Sequence, residues 1–216
     1  MMTLFKKALL VTMFAALALA LNVRPAAAAQ ILLTHSNING TTQTYATVDY
    51  TLSGQTATFI FTAASGYLLM DSSAAALNIN STSFTESFLT PPGSFKSWDT
   101  SNSNIDGFGN FNLALNLNGG FGDGTSSLSF MVTNTSSTLW STTADVLFTN
   151  TTGGSALSHI APIALGGVCT GFASNGTTST TTIPTECTTS VPDGGMTMSL
   201  LGLGLGALGF GVRRKK

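Results

Sequence analysis

The stretch Thr44–Leu52, TYATVDYTL, decides the fold class. Its side chains alternate with a period of two. Tyr45, Thr47, Asp49 and Thr51 fall on one face, and Ala46, Val48, Tyr50 and Leu52 on the other. That pattern predicts a half-buried strand. Gln55–Thr62 follows after Ser53-Gly54, a separator suited to a hairpin. Further along, FNLALNL at Phe111–Leu117 sets Phe111, Leu113, Leu115 and Leu117 on one face. Ser127–Thr133 groups Leu128, Phe130 and Val132. Asp145–Thr149 and Ser158–Leu165 are weaker strand candidates. Ser72–Leu77 is expected to form at most one helical turn, and the Thr-rich composition disfavours longer helices. Short strands separated by Gly, Asn and Asp turns predict an all-β fold. The expectation is an antiparallel β-sandwich or jelly roll spanning residues 30–175.

Both ends of the chain differ from this region. Lys6-Lys7 precedes an apolar run from Ala8 to Leu21, then Pro25 and Ala26–Ala29. This is the layout of a signal peptide over residues 1–29, with Ala27 and Ala29 in the A-x-A site and Gln30 as the new N-terminus. The alternative is an uncleaved signal anchor. Between Gln30 and Ser190 the chain holds one lysine, Lys96, no arginine and eight carboxylates, a net charge of −7. Such a region cannot supply the phosphate contacts that drive nucleic-acid binding. Anionic lipid surfaces are disfavoured for the same reason.

The C-terminal residues Val191–Lys216 read VPDGG-MTMSLLGLGLGALGFGV-RRKK. Met196–Val212 has no charge, and as a helix it spans roughly 25 Å, at the short end for a bilayer core. Arg213, Arg214, Lys215 and Lys216 would place the C-terminus in the cytoplasm. Pro192 and Asp193-Gly194-Gly195 break any helix upstream, leaving an extended segment at the outer membrane face. A permanent anchor and a helix dimer through Gly202 and Gly206 are the alternatives. The three-part tail resembles the PEP-CTERM sorting signal, in its Val-Pro-Asp variant. Asp193 stands where the family's name motif has Glu. The resemblance implies recognition by an exosortase, a membrane cysteine protease that cuts at Val191–Gly195 and discards the helix. It also implies an association with exopolysaccharide. Four internal stretches resemble the body of other proteins in that group: DGFGNFNLALN at Asp106–Asn116, LSFMVT at Leu128–Thr133, SHIAPI at Ser158–Ile163 and CTGFASN at Cys169–Asn175. No activity comes with that likeness.

Residues 176–190 are dominated by Thr and Ser and read as a stalk that could extend roughly 50 Å. Cys187 lies within it, and export favours a disulfide with Cys169. The chain-entropy model values that closure at about 3 kcal/mol. An intermolecular bridge and a metal site are the alternatives, although two Cys without a CxxC spacing make a poor metal signature.

Chemistry-bearing residues are sparse. His35 and His159 stand outside any HExxH or GxSxG pattern. Glu86 is the only Glu ahead of the stalk, and a carboxylate pair for glycoside hydrolysis depends on spatial separation alone. Asn102-Ser-Asn104-Ile-Asp106-Gly107 has the oxygen spacing of a calcium loop, and Asp99 could add a charge. Position 12 falls on Leu113, so no bidentate Glu closes the loop, and the competing reading is an Asx-rich turn. Asn118–Gly124 is a single, imperfect copy of a calcium nonapeptide. Asn39, Asn80, Asn134, Asn150 and Asn175 each begin an N-x-S/T triplet. No cofactor is expected. The leading expectation is a non-enzymatic exported surface or matrix protein handled by an exosortase-like protease. The second is a carbohydrate-binding β-sandwich using Trp98, Trp140 and Tyr67 as stacking platforms. The third is a secreted glycoside hydrolase.

Overall fold

A computed structural model describes residues 27–39 and 41–178, together with Cys187. Residues 1–26 of the expected signal peptide, the motif Val191–Gly195, the apolar segment 196–212 and the basic cluster Arg213–Lys216 lie outside the described residues. Fourteen strands are described: β1 (Ala27–Leu33), β2 (His35–Ser36), β3 (Ala46–Ser53), β4 (Thr56–Ala63), β5 (Tyr67–Leu69), β6 (Ala75–Leu77), β7 (Phe84–Ser87), β8 (Phe95–Asp99), β9 (Ser103–Asn104), β10 (Asn110–Phe111), β11 (Leu113–Leu117), β12 (Ser127–Asn134), β13 (Ala156–Pro162) and β14 (Gly171–Ser174). Short 3₁₀ turns occur at Phe121–Asp123, Thr143–Asp145 and Ile163–Leu165, and the described residues contain no α-helix. No helix among them is long and apolar enough to cross a membrane.

The fold is all-β and antiparallel. One sheet has the order β1-β3-β4-β12-β7; the other runs β2-β14-β13-β6-β11-β8, with β5 pairing β13. The β3–β4 hairpin turns at Gly54, whose φ of 60° suits a residue without a Cβ. The chain changes sheets at Thr34. Leu33 pairs Ala46 in the first sheet, and His35 pairs Ser174 in the second.

The two sheets share one core, in a sandwich-like arrangement. Val48, Tyr50, Phe59, Phe61 and Phe130 from the first meet Leu69, Leu77, Leu113, Leu115 and Ile160 from the second. Rings bridge the gap: Phe130 on β12 meets Trp98 on β8 at 5.3 Å. A smaller cluster of Ala76, Ile105, Phe108, Phe111, Ala114 and Leu157 covers the opposite face of the second sheet, beneath the β9–β10 hairpin. Lys96 is exposed on the edge strand β8.

Several boundaries differ from the sequence reading. FNLALNL is split at Asn112, whose carboxamide exchanges hydrogen bonds with both backbone groups of Ile79 at 2.7 and 2.8 Å. Phe111 therefore joins the small cluster, apart from Leu113, Leu115 and Leu117. Asp145 does not start a strand. Its carboxylate accepts the N–H groups of Ser141 and Thr142 and closes a capping box on a 3₁₀ turn. Ser72–Leu77 forms no helical turn: Ser73 has φ 60° and Ala75–Leu77 is a strand. The last strand candidate begins earlier, at Ala156, and ends at Pro162, which lacks the N–H to continue the ladder. Strand β1 begins at Ala27, ahead of the expected cleavage point, with Ala27, Ala28 and Ala29 opposite Leu52, Thr51 and Tyr50. At the other boundary Gly176 is buried against the Gly154 backbone, and the Thr177 N–H donates to the Thr152 carbonyl at 3.0 Å. Ordered packing thus continues past residue 175 into the segment read as a stalk.

Candidate functional site

The calcium-like loop is built from local turns. Asn102 and Asp106 take left-handed backbone angles, φ 52° and 47°, which Asn and Asp tolerate best among non-glycine residues. Asn104 Oδ1 accepts the Gly107 N–H at 3.0 Å, and the Asn102 carbonyl accepts from Asn110 Nδ2 at 3.4 Å. The Ser101 hydroxyl and N–H both bind the Asp99 carboxylate and hold its pKa below the usual range. Asp106 accepts from Asn37 Nδ2. Ile105 and Phe108, in the same loop, are buried in the small cluster, so the loop serves as its lid. Among the described residues no group of three or more His, Cys, Asp or Glu is placed to hold a metal.

The two histidines do not meet. His35 lies on β2 and His159 on β13, with β14 between them. His159 stacks on Phe172 at 4.6 Å and places Nδ1 3.0 Å from Asp71 Oδ1, a close but poorly aligned approach. Burial lowers its pKa, and the Asp71 carboxylate opposes that shift only in part. The adjacent Ser158 hydroxyl donates to the Ala74 carbonyl. Glu86 lines a shallow cleft of about 560 Å³ with Trp98, Thr100 and Asn112.

The three aromatic residues expected as stacking platforms are scattered. Trp140 is 3% exposed and its Nε1 donates to the Asn80 carbonyl at 2.8 Å, so it is a core residue. Trp98 stacks on Phe88 at 4.9 Å and meets Phe95 and Phe130 as well. Tyr67 OH accepts from Gln43 Nε2, and its ring meets Tyr45 edge-on. Trp140 sits beside Gln55 at one end of β4, and Tyr67 lies beyond the other end. They form no common surface.

The N-x-S/T triplets have a structural role. Asn39, Asn134 and Asn150 each accept, through Oδ1, both the N–H and the hydroxyl of the residue two positions on. These are Asx turns at chain reversals. Asn134 also donates to the Gln55 side chain and the Thr138 carbonyl, and Asn150 donates to the Phe108 and Asn110 carbonyls. Asn175 accepts the N–H groups of Ser155 and Ala156, and Asn80 donates to the Asp145 carbonyl.

Cys169 and Cys187 form a disulfide, with Cα atoms 5.1 Å apart. Cys169 is fully buried. The loop ahead of it, Ile163–Val168, begins with a hydrogen bond from the Ile163 N–H to the Gly66 carbonyl. Gly167, at φ 81°, lies so close to Phe121 that a Cβ there would overlap the ring. Ile163 and Val168 point outward, 49% and 72% exposed. The sequence reading assigned the first part of this loop to a strand. Pro162 and Gly166-Gly167 were the signals that should have ended it.

Comparison with protein-family models, with curated proteins and with solved structures found no match.

Proposed function

We propose that this chain is a non-enzymatic exported protein of the cell surface or extracellular matrix, released at its C-terminal tail by an exosortase-like membrane protease. The observation that carries this reading is the order of three features at the terminus. The motif Val191–Gly195, the uncharged segment Met196–Val212 and the cluster Arg213–Lys216 follow one another. The N-terminal signal-peptide layout and the Cys169–Cys187 disulfide support export. The intervening domain is a β-sandwich scaffold in which Asn39, Asn134 and Asn150 are engaged in Asx turns. Exopolysaccharide is the partner that the tail's resemblance favours.

The intact mass of the native surface protein tests the reading. The expected species starts near Gln30 and ends near the Val191–Gly195 motif. A mature species that keeps Met196–Lys216 would leave a plain membrane anchor in place of a sorting signal.

A further inference from the structure

Two loops at one end of the domain present apolar side chains to solvent: Leu89 (76% exposed) from one, and Ile163 (49%) and Val168 (72%) from the other. The turn at 121–125 links them. Gly167 packs on Phe121, and residues 90–94 and 122–125 line one cleft of about 490 Å³. Between Asp145 and Glu186 the chain carries no Asp, Glu, Lys or Arg. Asp123, on the adjoining turn, is exposed.

The disulfide lies at this same end, because Cys169 directly follows Val168. Without it the chain would leave from the opposite end. After β14 the Thr177 N–H bonds to Thr152, near the start of β13, whereas Val168 follows that strand's end. The bond to Cys187 moves the point of attachment across the domain. Eight residues, Thr188–Gly195, then remain before the apolar segment opens at Met196, a reach of roughly 30 Å when extended. Counted from Thr178 instead, the reach is roughly 60 Å.

We propose that the disulfide holds the end carrying Leu89, Ile163 and Val168 against the bilayer, where these side chains rest at the headgroup–acyl boundary while the tail is in place. This rests on the reading of the tail as membrane-inserted. The net charge of the domain selects zwitterionic over anionic lipid. Asp123 keeps the contact at headgroup depth, since a carboxylate is costly to bury in hydrocarbon.

The test uses the full chain in phosphatidylcholine vesicles with brominated acyl chains. Val168→Trp and, at the opposite end, Leu139→Trp are compared; Leu139 is 64% exposed and precedes Trp140. The expected result is co-flotation of both variants, with lipid quenching of the added indole in V168W and none in L139W. Adding Cys169→Ser and Cys187→Ser to V168W should abolish that quenching while flotation persists. A chain that does not float overturns both the membrane-inserted tail and this proposal. A chain that floats with equal quenching in V168W and L139W overturns this proposal alone. Quenching that survives loss of the disulfide overturns the orienting role of Cys169–Cys187.

Discussion

Asn134 joins three separate parts of the chain through one carboxamide. Its Oδ1 accepts from Ser81 Oγ and from Ser136, and its Nδ2 donates to Gln55 and to the Thr138 carbonyl. It is 5% exposed, whereas Ser81, Gln55 and Ser136 are half-buried and Thr138 is exposed, so its partners regain part of their hydrogen bonding from water when the amide is removed. Asn134→Ala is expected to cost about 1–2 kcal/mol in urea unfolding, the scale of several lost hydrogen bonds whose partners are partly open to water. His159 gives a second prediction. The unfolded chain protonates an ordinary histidine near 6.5, while burial holds the folded pKa below that. The unfolded state therefore binds more protons in that window. Stability is full above pH 6.5 and falls as the pH drops through it towards the lower folded value. His159→Gln should flatten the slope of the urea midpoint between pH 7.5 and 5. An unchanged slope would assign the acid sensitivity elsewhere. At this scale the sequence was legible in residue type and not in role. An N-x-S/T triplet reads equally as a glycan acceptor and as an Asx turn, and the choice depends on which distant backbone groups the amide reaches.

The long strands were legible because an apolar residue recurs at every second position over most of their length, although Ile60 and Met131 add apolar side chains to the outer faces. β3, β4 and β12 each span eight residues, enough for period two to stand out, and their apolar faces are the ones found in the core. β2, β9 and β10 span two residues each, too few for any period to register. β11 was misread at its start because Asn112 copies backbone hydrogen bonding with a side chain, a substitution that hydrophobic patterning cannot reveal. The site was less legible than the fold. The disulfide followed from export and cysteine count, but the loop beside it was taken for strand. The rings that link the sheets give a prediction at this scale. Phe130 meets Phe59, Phe61 and Trp98 at 5.6, 6.0 and 5.3 Å, and it is almost fully buried. Phe130→Ala should destabilise the domain by about 3–5 kcal/mol. Phe130→Leu, which keeps most of the volume, should cost clearly less in the same denaturation assay. Equal losses would mean that the rings matter for something other than packing.

Over the whole molecule, polarity and charge are distributed very differently. Hydroxyl and carboxamide groups occur in nearly every turn, yet cationic groups all but vanish between the two end segments. Lys96, exposed on β8, is the only lysine or arginine from Gln30 to Ser190. Its strand pairs with β11 on one side only, and the register shifts so that Lys96 itself has no partner there. A chain trimmed at both ends and then denatured offers trypsin this one bond, giving fragments of 67 and 94 residues. Both are too long for routine peptide sequencing by mass spectrometry. If the chain is processed as proposed, a survey that relies on trypsin will therefore pass over it even where it is abundant, whereas chymotrypsin, with aromatic and leucine sites throughout the domain, will find it. The same scarcity is useful at the bench. If the chain is trimmed as proposed, an amine-reactive dye has two targets on it, the N-terminus and Lys96, so the edge of the second sheet can be labelled without engineering a cysteine beside the disulfide.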